Sequence, residues 1–278
     1  MLDFLKALLF GIVEGITEWL PVSSTGHMIL LNEFVKMNVS EEFWNMFLVV
    51  IQLGAILAVV VLFWNKIFPF DFSKKAIAEG KVNRIEVWML WVKIIVACLP
   101  AVVIGLPLDD WIDEHLYNGF VVAVMLILFG VLFIIVETRN KGRKRKINNL
   151  DELTIKTALI IGLWQVIAAL LPGTSRSGAT IIGALLLGVS RKTAAEFTFF
   201  LAIPVMFGAS LLKLVKFGLA FTGTEVVILL IGMVSAFMVS VFVIRFLMSY
   251  IRKHDFKPFG WYRIVLGIIV LGYFAIAK

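Results

Sequence analysis

Residues 14–27 read Glu14-Gly-Ile-Thr-Glu18-Trp-Leu-Pro21-Val-Ser-Ser-Thr-Gly26-His27, a polar turn set inside an apolar region that runs from about Leu2 to Phe34. Each arm of that region has about a dozen residues, too few for a hydrocarbon core that needs ~20. A second interruption of the same kind, Pro172-Gly-Thr-Ser-Arg176-Ser-Gly178, splits the apolar region from about Ile155 to Gly188. Short arm, polar turn and short arm is the pattern of a re-entrant helix-turn-helix hairpin, whose non-helical backbone lies at membrane depth beside protein or a polar cavity. A spanning helix kinked at proline is the alternative.

Outward from these turns, the rest of the 278-residue chain is 61% hydrophobic and only 16% charged. Its mean hydropathy is +0.99. No water-soluble fold hides that much apolar surface, so the bilayer is the solvent. The apolar runs do not alternate and are too long for barrel strands, which leaves an all-α integral membrane protein. Six runs are long enough to cross: about Phe43 to Trp64, Val87 to Leu106, Phe120 to Val136, Thr193 to Leu214, Val226 to Leu247 and Trp261 to Ala277. The start of the chain does not read as a cleavable signal peptide, because it lacks a basic segment and carries Glu14 and Glu18 within its apolar stretch. Cys98, the lone cysteine, excludes an internal disulfide and a cysteine metal cluster.

The two broken regions resemble each other. A shift of 151 residues pairs Ala7, Leu8, Gly11, Ile16, Leu20, Pro21 and Ser24 with Ala158, Leu159, Gly162, Ile167, Leu171, Pro172 and Ser175. One domain over residues 1–278 follows, with repeat one at about 1–138, a basic linker at about 139–153 and repeat two at about 154–278. Each repeat holds one hairpin and three spans, and an odd number of crossings inverts the second copy relative to the first. Lys66, Lys74, Lys75, Lys81 and Arg84 follow the first span, Arg139, Lys141, Arg143, Lys144, Arg145 and Lys146 the third, and Arg252, Lys253 and Lys257 the fifth. By the bias of basic loops these lie in the cytoplasm, and Asp109, Asp110, Asp113, Glu114 and both chain ends lie opposite. The net charge of +7 is therefore a topology signal and not a nucleic-acid footprint.

Glu14 and Glu18 are four apart, so on a helix they share a face and point at one spot. They can hold a divalent cation, or one can serve as a base while the other stays protonated. Ser23, Ser24, Thr25 and Gly26 lead into His27 at a helix start, where unpaired N–H groups and the dipole favour an anion such as phosphate. In the second hairpin Gly173, Thr174, Ser175, Ser177 and Thr180 surround Arg176, whose planar fork suits phosphate oxygens; a plain ion pair to Glu14 or Glu18 is the alternative. In the repeat register Glu14 pairs with Gln165, Glu18 with Ala169 and Thr25 with Arg176. Acids and His27 thus come from one copy and the cation from the other, as a single site at the repeat interface requires. Lys93, Glu196, Lys213 and Arg245 read as snorkelling or interhelical pairing residues, and Glu33 as an interfacial charge.

The stretches Glu14 to His27 and Pro172 to Thr180 resemble the two hallmark motifs of the bacterial undecaprenyl-diphosphate phosphatases, also called bacitracin-resistance proteins, and the likeness extends over essentially the whole chain. The resemblance implies hydrolysis of undecaprenyl diphosphate to undecaprenyl phosphate and inorganic phosphate in the bacterial inner membrane, supply of the carrier lipid for peptidoglycan synthesis, and bacitracin resistance. It further implies Glu14, Glu18, Ser24, His27 and Arg176 as catalytic residues with Ser175 and Thr180 in support; Ser23, Thr25, Gly26, Gln165, Gly173, Thr174, Ser175, Ser177 and Thr180 are the expected substrate contacts around the two turns. A site open to the periplasm, a divalent cation (Mg or Ca) and a homodimer are also implied. Among His27, Ser24 and an activated water, the residues do not single out a nucleophile. A lipid transporter is the rival class, because broken helices in inverted repeats are also transporter architecture.

Overall fold

The computed structural model describes residues 2–218 and 220–277, apart from the side chains of Leu106, Asp109, Asp110, Asp113 and Ala277. The side chains of Asp109, Asp110 and Asp113 named above, and Lys278 at one chain end, lie outside the described set. The chain is helical: α1 (Leu2–Thr17), α2 (Ser24–Phe34), α3 (Glu41–Val50), α4 (Gln52–Leu62), α5 (Trp64–Ile67), α6 (Lys74–Ala78), α7 (Ile85–His115), α8 (Gly119–Arg139), α9 (Ile155–Leu170), α10 (Arg176–Leu186), α11 (Arg191–Phe217), α12 (Gly223–Tyr250) and α13 (Lys257–Ala277). Six helical segments are long and apolar enough to cross a bilayer, within residues 41–62, 85–105, 119–139, 191–217, 223–250 and 257–276. They coincide with the six expected runs, and the protein is a multi-pass membrane protein. Many begin at a polar cap: Ser40, Asn118, Thr154 and Ser190 accept hydrogen bonds from the N–H groups of Phe43, Val121, Thr157 and Thr193, and Thr222 forms a capping box with Glu225.

The first run departs from the sequence expectation. Phe43 to Trp64 reads as one uninterrupted helix, but α3 and α4 are separated at Ile51, whose carbonyl accepts from Gly54 N at 3.0 Å. The carbonyl of Val49 takes a hydrogen bond of 3.1 Å from Ser210 Oγ on α11 instead. A neighbouring side chain satisfying a freed carbonyl is what lets a helix bend in an apolar medium.

Packing relies on small residues where helices touch. A Cβ on Gly11 of α1 would lie 2.4 Å from the Gly232 carbonyl oxygen of α12, and one on Gly162 of α9 would lie 2.2 Å from the Ala97 carbonyl oxygen of α7. Neither position accepts a side chain without moving a backbone. Glu196 and Lys93 find partners between helices, as the sequence suggests. Glu196 binds Lys66 through both oxygens at 2.9 Å, and Lys93 Nζ donates to the carbonyls of Leu150 (3.1 Å) and Asp151 (3.2 Å). Glu137 at the end of α8 holds Arg191 bidentately and also accepts from Phe256 N. The basic linker is tied down too: Lys146 N donates to Gly188 O, and Ser190 N to Ile147 O.

Candidate active site

The two polar turns share one backbone device. Ser23 (φ 74°) and Ser175 (φ 70°) are the non-glycine residues with left-handed backbone among the described residues. Such a conformation costs on the order of 1 kcal/mol or more and persists where the surroundings enforce it. Each serine caps the following helix: Ser23 Oγ accepts from Gly26 N at 3.4 Å, and Ser175 Oγ from Gly178 N at 3.2 Å. The two caps do not follow the shift of 151 residues. The sequence match pairs Ser24 with Ser175 and Thr25 with Arg176, whereas the caps superpose Ser23 on Ser175, Ser24 on Arg176 and Gly26 on Gly178. The first turn is one residue shorter.

Arg263 holds the turns together. It is fully buried on α13, and its Nη2 donates to the carbonyls of Gly173 (2.9 Å) and Thr174 (2.8 Å) while Nη1 donates to Pro21 O (3.3 Å). Both turns thus dock on one guanidinium, whose face also lies 5.8 Å from the Phe129 ring.

Around this brace the predicted residues converge on Glu18. Its Oε1 accepts from Arg176 Nη2 at 2.9 Å, and its Oε2 accepts from Ser24 Oγ at 2.8 Å. Arg176 Nη1 donates to the Thr198 carbonyl at 3.0 Å, while its buried Nε–H has no acceptor. Ser177 Oγ reaches the Glu18 carbonyl at 3.3 Å and lies 3.1 Å from Ser175 Oγ. Thr180 Oγ1 donates to the Arg176 carbonyl and meets Thr198 Oγ1 at 2.9 Å, fixing the first turn of α10. Glu14 is buried one helical turn before Glu18, within electrostatic reach of both Glu18 and Arg176, and its Oε1 has no partner. Two carboxylates therefore face one arginine. The negative charge left over calls for a proton, a cation or a donor on the substrate.

His27 stands one turn further along α2. Its Nδ1 lies 2.7 Å from the Ser23 carbonyl, which can only accept, so the proton sits on Nδ1. Nε2 then accepts from the Tyr262 hydroxyl at 2.6 Å, and the two rings lie parallel with centroids 5.6 Å apart. Of the other predicted contacts, Gly26 and Gly173 line the turns without side chains, and Thr25 makes no side-chain hydrogen bond among the described residues. Thr174 Oγ1 and both amide atoms of Gln165 are buried without partners, and no polar contact links Gln165 to the Glu18 cluster.

The donor set suits a divalent cation only in part. Among the described residues no group of three or more His, Cys, Asp or Glu side chains could hold a metal ion. Glu14 and Glu18 supply two hard carboxylates with one unpartnered oxygen, which fits a Mg-type ion that completes its shell with water and substrate phosphate oxygens.

Sequence reading missed Tyr262, Arg263 and Thr198. For Arg263 the signal was present, since an arginine inside an apolar run demands a partner. Thr198 receives Arg176 through its carbonyl, which no residue type betrays.

Comparison with known proteins shows the family. The family model described as bacitracin resistance protein BacA matches residues 7–269. Undecaprenyl-diphosphatase 1 of Clostridium acetobutylicum is 60% identical over 275 residues, covering 99% of this chain and 98% of the relative. The undecaprenyl-diphosphatase of Desulfitobacterium hafniense is 62% identical over 275 residues, covering 99% and 97% of the two chains. One from Enterococcus faecalis is 61% identical over 270 residues, covering 97% and 96%.

Proposed function

The chain belongs to the bacitracin resistance protein BacA family, and on that premise we infer that it is an undecaprenyl-diphosphatase, a membrane hydrolase that converts undecaprenyl diphosphate to undecaprenyl phosphate and inorganic phosphate. It thereby returns the carrier lipid to peptidoglycan synthesis and confers bacitracin resistance. The observation that carries this reading is Glu18 placed between Arg176 and Ser24, an acid, a phosphate-type cation and a hydroxyl drawn from both hairpins. The test is release of inorganic phosphate from undecaprenyl diphosphate by the purified protein in detergent. Carriage of the lipid across vesicles without phosphate release would favour the transporter class.

In the reaction Arg176, with its free Nε–H, and the N–H groups opening α2 and α10 receive the phosphate oxygens. Ser24 Oγ attacks the terminal phosphorus as Glu18 accepts its proton, the P–O–P bond breaks, and undecaprenyl phosphate leaves. Water then cleaves the phosphoserine, freeing inorganic phosphate and restoring the hydroxyl. The leaving group is itself a phosphate, so positioning and charge neutralisation carry most of the catalysis. His27 relays the proton of that water through Nε2 once the Tyr262 hydroxyl, which occupies the Nε2 lone pair, moves away.

Glu14 and Glu18 are the residues that would hold a divalent cation, which would supply further charge neutralisation at the diphosphate. Chelator treatment followed by titration with Mg tests this, and full activity without any divalent ion would refute it.

The finer architecture is part of the same reading: α1–α2 and α9–α10 are re-entrant hairpins, and the two halves are inverted repeats. Three observations support it. Gly11 and Gly162, paired by the repeat, make equivalent backbone contacts with α12 and α7. Gly130 and Gly260 meet reciprocally, each placing a would-be Cβ 2.6 and 2.7 Å from the other's carbonyl oxygen, as an axis between α8 and α13 requires. The matched caps Ser23 and Ser175 open both second arms. The basic loops then face the cytoplasm and the site opens to the periplasm. In a Cys98→Ala background, a cysteine at Glu114 should react with an impermeant reagent on intact cells and one at Lys144 should not; the reverse pattern inverts the assignment. The homodimer rests on family membership, and native mass spectrometry in detergent decides it.

A further inference from the structure

Where α4, α11 and α12 reach the face of the basic loops, they enclose a cavity of about 490 Å³. Leu62 ends one span, Arg191 begins another and Tyr250 ends a third, so the cavity lies at a membrane boundary. None of its lining residues belongs to the Glu18 cluster.

Its walls are cationic. Lys66, Lys192, Arg245 and Arg252 line it, against a single carboxylate, Glu196. Glu196 is already committed, with both oxygens 2.9 Å from Lys66 Nζ. Lys192, Arg245 and Arg252 have no ion pair or hydrogen bond among the described residues. Three uncompensated cations around one hollow repel one another, and an anion between them removes that cost. Apart from Asn65, the rest of the lining is apolar, from Leu62, Phe63, Ile244 and Met248. A free aqueous anion gains nothing from such a surface, whereas a lipid gains from both halves of the cavity. A basic loop that only sets orientation would need no apolar wall, and Arg245 lies within α12 more than a turn before its end.

We propose that this cavity seats an anionic phospholipid from the leaflet on the basic face, with its headgroup phosphate held by Lys192, Arg245 and Arg252 and its upper acyl chains lying on Leu62, Phe63, Ile244 and Met248. Basic pockets between transmembrane helices on such a face select acidic headgroups by this combination of charge and hydrocarbon.

The test uses the whole protein in detergent, titrated with phosphatidylglycerol or phosphatidylcholine and followed by native mass spectrometry. The triple variant Lys192→Gln/Arg245→Gln/Arg252→Gln is compared with the loop control Lys141→Gln/Arg143→Gln/Lys144→Gln, which removes equal charge elsewhere. The cavity triple should lose phosphatidylglycerol affinity by about 10-fold or more, the control by about 2-fold at most, and millimolar inorganic phosphate should not displace the lipid. Circular dichroism checks that each variant is folded, and Arg245→Gln alone serves if the triple is not. Equal losses in both triples, equal retention of phosphatidylcholine, displacement by free phosphate, or preference for polyprenyl phosphate over phosphatidylglycerol would each overturn the proposal.

Discussion

Glu18 and Arg176 meet in a 2.9 Å ion pair across 158 residues of chain, and the second oxygen of the same carboxylate receives the Ser24 hydroxyl. Arg176 reaches Glu18 with one nitrogen, the Thr198 carbonyl with another, and keeps Nε–H for an acceptor not supplied by the protein. Lysine can replace the charge but not this fork. Arg176→Lys should therefore fold with a Tm close to that of the parent while phosphate release falls roughly 100-fold to 1000-fold, the cost of losing one transition-state contact. Near-normal turnover would reduce Arg176 to a structural partner of Glu18.

Arg263 predicts the opposite balance of stability and activity. Its guanidinium satisfies the carbonyls of Pro21, Gly173 and Thr174 inside the bundle. Arg263→Met fills similar space and leaves those oxygens unpaired, at about 1–3 kcal/mol for each buried group. A large drop in the thermal midpoint in detergent, with loss of turnover following from it, is expected. A variant as stable as the parent but inactive would instead make Arg263 part of the chemistry.

Helix contact at Gly162 gives a stability prediction remote from the site. With the Ala97 carbonyl 2.2 Å from a would-be Cβ, Gly162→Val must push α9 off α7, and overpacking of this kind costs about 1–3 kcal/mol. Gly208→Ala on α11 is the control, because nothing lies within 4 Å of its would-be Cβ. Thermal unfolding of the two side by side should show destabilisation only in Gly162→Val.

What the sequence discloses follows from what lipid forbids. Glu14, Glu18 and Arg176 stand out because ionisable groups inside apolar runs are costly, so their need for one another could be read before their neighbours were known. Tyr262 and Arg263 sit seven and six residues before Ile269 in the last span, near its basic end, where an arginine reads as a snorkelling charge. The break at Ile51 leaves only a weak trace, Gln52 and Gly54 within an otherwise apolar run, and the compensating hydroxyl, Ser210, lies far away in the chain. The turn register was also hidden: Ser23, Ser24 and Thr25 are three consecutive candidate caps, and only backbone angles distinguish Ser23.

The nucleophile is the remaining chemical question, and the geometry ranks the candidates. Ser24 Oγ is 2.8 Å from a carboxylate that can accept its proton, the arrangement of an activated hydroxyl. His27 has both ring nitrogens engaged, Nδ1 by the Ser23 carbonyl and Nε2 by Tyr262, so attack by Nε2 requires the tyrosine to move away first. If Ser24 attacks, Ser24→Ala should abolish turnover and acid-quenched wild-type enzyme should carry phosphate on Ser24. His27→Ala should then slow breakdown of that intermediate, so that phosphoserine accumulates while steady-state release falls. Tyr262→Phe separates the histidine's orientation from its chemistry, since it removes one hydrogen bond of about 1 kcal/mol and should lower kcat by roughly 5-fold with little change in KM. Phosphate trapped on His27, together with faster turnover in Tyr262→Phe, would transfer the attack to the imidazole and leave Ser24 as a phosphate-binding hydroxyl.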